Sequence, residues 1–107
     1  MITELEFNKL IELTFEALEE ALDQIDADID YQTVGSVLTV EFDNETKLVF
    51  SCQPPTRQLW LAARSGGFHF AYDEAVGDWR GTRDGQLFQP FVVEQMRAQG
   101  GVTFEWR

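Results

Sequence analysis

From Phe7 to Ile25 the apolar positions recur at intervals of three and four: Phe7, Leu10, Ile11, Leu18, Ala21, Leu22 and Ile25, with Thr14 in the same series. At about 100° per residue they share one face of a helix. Glu12, Glu16, Glu19, Glu20 and Asp23 fall on the opposite face. Thr3 and Glu6 stand in capping-box spacing, so the pattern predicts a helix of roughly 20 residues starting there. After Ile29 the period shortens to two. The alternation predicts strands over 29–34 and 37–42, joined at Gly35-Ser36, and over 47–52 after the polar turn Asp43-Asn44-Glu45-Thr46. Further strands are expected over 57–63, after Gln53-Pro54-Pro55-Thr56, and over 68–72, after Ser65-Gly66-Gly67. A short strand around Trp79 precedes the turn at Arg83-Asp84-Gly85. Residues 87–99 return to helical spacing, with Pro90 tolerable only in the first turn and Gly100-Gly101 as the stop.

Helix, about six strands, helix is the order of an α+β protein. The fold expected is a two-layer α/β sandwich, with the N- and C-terminal helices packed on one face of an antiparallel sheet and the other face open to water. A chain of 107 residues suits one domain, 1–107, and an apolar fraction of 44% is enough for a core. No apolar run reaches the roughly 20 residues that span a bilayer. MITELEF has early acids and neither a basic region nor a cleavage site of a secretory leader, which predicts a cytoplasmic protein or the mature form of an imported one. Cys52 is the single cysteine. It excludes an internal disulfide, a zinc ribbon and a CxxC redox pair, and reads as a small hydrophobe at a strand end.

Charge changes the picture. The net value is −11, and no Lys, Arg or His occurs from Leu10 to Thr46, a window holding 11 of the 19 acids. Nucleic acid and anionic membranes are excluded as partners, since both need clustered cations. Glu12/Glu16, Glu16/Glu20 and Glu19/Asp23 are like-charge pairs four residues apart, each unfavourable by a few tenths of a kcal/mol. Acids near a helix C-terminus also oppose the macrodipole. Asp26, Asp28 and Asp30 continue the series, and an extended chain there would place all three on one side. Glu41 could stand beside them in the next strand, with Asp43 and Glu45 in the following turn. Such a ridge of carboxylates suits hard cations such as Mg²⁺, Ca²⁺, Mn²⁺ and iron. Asp26-Ala27-Asp28-Ile29-Asp30 lacks the Gly and terminal Glu of an EF-hand loop, so cation binding is expected to be weak and multi-site. The same ridge suits a basic patch on a protein partner, or serves only solubility.

A second surface follows from the 57–63 strand. Leu59 and Leu61 take the packed face, which aims Trp60, beside Gln58, at the open one as an interface anchor unless a loop or the C-terminal tail covers it. His69, the single histidine, falls opposite Phe68 and Phe70 and is expected at the surface, where it could add a nitrogen ligand to a weak metal site. No nucleophile elbow, zinc-protease helix motif, phosphate loop or Cys-His pairing is present, so the chain does not read as an enzyme.

Gln53-Pro54-Pro55-Thr56-Arg57-Gln58-Leu59-Trp60-Leu61-Ala62 resembles the Q-x-P-x-x-Q-hydrophobic-W-L-[AS] strand of the frataxins. Gly66-Gly67-Phe68-His69-Phe70, Asp78-Trp79 before an Arg-Asp-Gly turn, and the acidic helix running into an Asp-rich strand are similar to the bacterial CyaY-type members. The resemblance spans nearly the whole chain. It implies the same sandwich fold and an iron-linked regulator of iron–sulfur cluster assembly that docks on the cysteine desulfurase, with the iron–sulfur scaffold protein as a further partner. It implies iron, ferrous or ferric, weakly bound by Glu16, Glu19, Glu20, Asp23, Asp26, Asp28 and Asp30, with Glu41 and Glu45 secondary. Glu19 and Asp23, with Gln58 and Trp60, would contact partners. The protein would be a monomer, with an iron-driven oligomer as the alternative. Gln24 and Gln32 are neutral where relatives often carry an acid, Pro54 is an added proline, and 73–77 departs from the usual loop. An iron store or ferroxidase, and an acidic adaptor without an iron role, are the rival readings.

Overall fold

The computed structural model describes residues 2–106. Helix α1, Glu4–Asp23, starts on the expected capping box: Thr3 Oγ1 accepts from the Glu6 N–H at 3.1 Å, and the Glu6 carboxylate accepts from the Thr3 N–H at 2.9 Å. Its buried stripe is Phe7, Ile11, Phe15, Leu18 and Leu22. Phe15 lies one residue off the apolar series and is nevertheless inside, because the stripe facing the sheet is wider than a single row.

Six strands follow: β1 Ile29–Val34, β2 Val37–Phe42, β3 Lys47–Gln53, β4 Gln58–Ala63, β5 Gly66–Asp73 and β6 Asp78–Gly81. They form one antiparallel sheet in sequential order, a meander in which each hairpin partner is the next strand along the chain. The register puts Leu38, Val40, Phe42, Leu48, Phe50, Leu59, Leu61, Phe70 and Trp79 on the face that the helices cover, where all are buried. The fold class expected from the patterning is therefore the one observed.

Some boundaries moved. Gly66 and Gly67 are strand residues paired with Ala63 and Ala62, not turn residues; the turn is Arg64-Ser65. Pro54–Thr56 make one 3-10 turn closed by Arg57 at φ 50°, so β4 starts at Gln58. Ile25 to Asp28 is a bent loop rather than extended chain, so strand alternation does not align Asp26 and Asp28 with Asp30. The cause is local: the Ile25 N–H still bonds the Leu22 carbonyl, and the Ile29 N–H turns back to Ala27.

Helix α2, Phe88–Gly100, holds Pro90 in its first turn, and Gly101 caps it at φ 66°. Its own N-terminus has no side-chain cap. Asp78 of β6 supplies one, accepting from the Gln89 N–H at 3.3 Å. The two C-terminal glycines serve different ends, since Gly100 is still helical and a Cβ there would lie 2.2 Å from the Phe42 ring. Gln99 is buried yet fully used: its amide donates to the Lys47 carbonyl and accepts from the Arg64 N–H, both at 2.9 Å. Trp79 is locked by an Nε1–H to Thr14 Oγ1 bond of 2.9 Å and edge contacts with Phe7 and Tyr72. The tail returns to the core through Val102 and packs Trp106 on Phe88. Among the described residues no helix is long and apolar enough to cross a membrane.

Candidate functional site

Since α1 ends beside the first strand, its acidic face meets the sheet edge at β1. Two hydroxyls bind the layers there. Tyr31 Oη donates to Asp23 Oδ1 and Thr33 Oγ1 donates to Glu19 Oε2, each at 2.6 Å. Tyr31 and Thr33 alternate with Asp30 and Gln32, so β1 turns its hydroxyls toward the helix and Asp30 toward the open face. The bond to Asp23, with the charge it carries, pushes the Tyr31 phenol up to about 12. Neither partner of α1 was singled out in the sequence, although period two already placed Tyr31 and Thr33 on the helix side.

Asp30 faces Glu41 across the β1–β2 ladder, and Glu41 faces Lys47 across β2–β3. Asp28, Asp30, Glu41 and Asp43 line a common surface groove. Glu45 sits in the β2–β3 turn at φ 69°. Asp26 projects from the loop between the helix and this groove. Glu16, Glu20, Asp23, Asp26, Asp28, Asp30, Glu41 and Glu45 are exposed and Glu19 is half-buried. The sequence-derived acids thus gather around one edge of the molecule in two groups, one on α1 and one at the β1–β2 end, with Glu45 at the outer limit. Ion pairs of the described residues join Asp73 to Arg80 and Glu94 to Arg97, away from this edge. Among the described residues no ion pair reaches the acids of this edge, although Lys47 stands in register with Glu41.

Among the described residues no three carboxylate, imidazole or thiol groups converge as a metal cage. All-oxygen donors on a solvated surface fit loose coordination of a hard cation, not a closed resident site.

The open sheet face carries a second feature. Cross-strand neighbours Val34, Val37, Ser51, Trp60 and His69 make one row. Trp60 and His69 stack with centroids 4.1 Å apart and planes 10° from parallel, while Trp60 Nε1–H donates to Gln58 Oε1 at 2.9 Å. The described part of the tail lies on the helix side, with Trp106 against Phe88, and not over Trp60. His69 is far from the acids in sheet order and stands as a platform for Trp60. Cys52, in β3 opposite Leu59, is half-buried, and burial raises its thiol above the usual value, which leaves it a poor nucleophile.

Geometry and charge define a small α/β sandwich with an anionic edge and an aromatic open face. The sequence matches the frataxin-like domain over residues 1–102. It is 40% identical over 106 residues to the iron-sulfur cluster assembly protein CyaY of Photobacterium profundum, covering 99% of both chains. The protein of that name from Pseudomonas fluorescens is 46% identical over 98 residues, 88% of this chain and 89% of its own. Among solved structures, the frataxin of Psychromonas ingrahamii superposes with a TM-score of 0.91 at 34% identity, over 99% of both chains. A trimeric yeast frataxin from Saccharomyces cerevisiae, 24% identical with a TM-score of 0.69 over 94% of this chain and 88% of its own, shares the fold. This chain belongs to the frataxin family, and within it to the bacterial CyaY type.

Proposed function

We infer that this chain is an iron-linked regulator of iron–sulfur cluster assembly that works by docking, not by catalysis. The name carried by its CyaY relatives supports the pathway. The observation that carries the mechanism is the carboxylate edge where α1 meets β1. Glu19 and Asp23, with Glu16 and Glu20 around them, would receive the basic surface of the cysteine desulfurase, and their long-range field would speed the encounter. Asp26, Asp28, Asp30, Glu41 and Glu45 would hold iron weakly, as cargo or signal rather than as a cofactor. Neutralisation by a cation lowers the field that the basic partner reads, so iron occupancy and docking are coupled through charge. Trp60, braced by His69 and Gln58, would offer the scaffold protein an aromatic anchor on the open face. The reading includes a cytoplasmic monomer that oligomerises only when iron bridges the edges of two copies.

The test is calorimetry with the cysteine desulfurase under anaerobic conditions, with and without ferrous iron, comparing the wild type with Glu19→Lys/Asp23→Lys. Binding lost in the variant, and altered by iron in the wild type, supports the reading. Equal binding by both proteins would refute the docking edge, and an iron-independent affinity would leave an adaptor without an iron role.

A further inference from the structure

The two hydroxyl bonds of β1 single out two acids of the edge. The described residues give Glu12, Glu16 and Glu20 no comparable donor, whereas Glu19 and Asp23 each have one at 2.6 Å. The spacing explains why both bonds form together. One helical step of four residues rises about 6 Å, and two strand residues advance about 6.6 Å. Asp23 and Glu19 can therefore meet Tyr31 and Thr33 in register, one turn of helix against one pleat of strand. A hydroxyl bonded to a carboxylate is a charge-assisted bond, stronger than a neutral one, and it fixes a side chain that otherwise rotates.

We propose that Tyr31 and Thr33 are positioning residues, which hold the Asp23 and Glu19 carboxylates at a fixed separation to receive two cationic side chains of a protein partner. The proposal rests on the docking function assigned above to this edge. Each clamped carboxylate keeps one oxygen, Asp23 Oδ2 and Glu19 Oε1, that takes no part in the bond to β1. The pair thus presents two acceptors about one helical turn apart, matched to Arg or Lys side chains spaced four apart on a helix or two apart on a strand. Because the clamp orders the acids before the partner arrives, it removes part of the ordering cost of association. Exposed acids without a clamp contribute field but little geometry.

The experiment measures desulfurase affinity for the full chain at one ionic strength, with thermal melts run alongside. Tyr31→Phe and Thr33→Val remove the donors at nearly unchanged shape, Thr33→Ser restores a hydroxyl, and Glu19→Gln/Asp23→Asn removes the acceptors' charge. Expected are an affinity weaker by about fivefold for each donor removed, wild-type affinity for Thr33→Ser, and larger loss for the acid pair. Loss in the acid pair with wild-type or tighter binding by Tyr31→Phe and Thr33→Val would overturn the clamp alone. Wild-type binding by the acid pair would overturn the docking reading and the clamp with it. A merely structural role predicts affinity losses that track the melting temperature and disappear when compared at equal folded fraction, which would also overturn it.

Discussion

Gly100→Ala is the substitution for which the structure gives the sharpest number. An ideal Cβ at this position meets Phe42 Cδ1 at 2.2 Å, Cε1 at 2.3 Å and Cγ at 2.7 Å, so the methyl would lie inside the ring's edge. Phe42 cannot swing clear, because it is 3% exposed and its cross-strand partner Ile29 and the rest of the core enclose it. Overpacking of this kind costs about 1–3 kcal/mol. Alanine returns up to about 1 kcal/mol of helix propensity, less at a last helical residue. The net expectation is a destabilisation of about 1–2 kcal/mol, which for a domain of this size lowers the melting temperature by roughly 4–9 °C. Thermal melts followed by circular dichroism measure it directly. Phe42→Leu supplies the control: with the ring edge gone, the Gly100→Ala penalty shrinks in that background, the coupling expected of contacting residues. Gly101→Ala should cost by a different route, strain at φ 66°, and Phe42→Leu should not relieve it. A Gly100→Ala protein that melts at or above the wild-type temperature would refute the close approach of α2 to β2. The consequence reaches the acidic edge, since Phe42 lies between Glu41 and Asp43, and any displacement of β2 moves the acids of the groove.

Three further outcomes are expected. The difference in phenol titration between the wild type and Tyr31→Phe should show a midpoint near 12 for Tyr31; because the folded value is raised, the bond's stabilisation is complete below about pH 10 and lost as pH rises toward 12, and a midpoint near 10 would mean that the bond to Asp23 does not form. Asp78→Ala, which strips α2 of its borrowed cap, should lower stability in urea by about 1 kcal/mol, whereas Asp78→Asn keeps an acceptor for Gln89 and should be nearly neutral; burial raises the Asp78 carboxyl, so the wild type gains on the Asn variant as pH falls into the carboxylate range. The melting temperature should rise from low to moderate salt and with divalent cations, since either relieves repulsion along the edge; a flat response would place the acids too far apart to act together.

Length, periodicity and punctuation in the sequence were enough for the layer order. The capping box at Thr3, the strand pair around Gly35-Ser36 and the glycine stop of α2 are local devices, and local chemistry is written in the chain. The density of acids between Leu10 and Thr46 was equally visible. What sequence could not hold was everything set by distance along the chain. The Tyr31–Asp23 and Thr33–Glu19 bonds depend on where a helix lies across a sheet, and Asp78 caps a helix 10 residues downstream of it. Alternation alone put Asp26 and Asp28 in line with Asp30; the loop after α1 takes them out of it, because its backbone groups turn back on themselves instead of joining a ladder. Likewise the surface histidine reads in the sequence as a possible extra ligand for a weak metal site, and only the β4–β5 register shows it stacked on Trp60. Composition fixed how much charge the protein carries, and register decided which of its carboxylates are held in place.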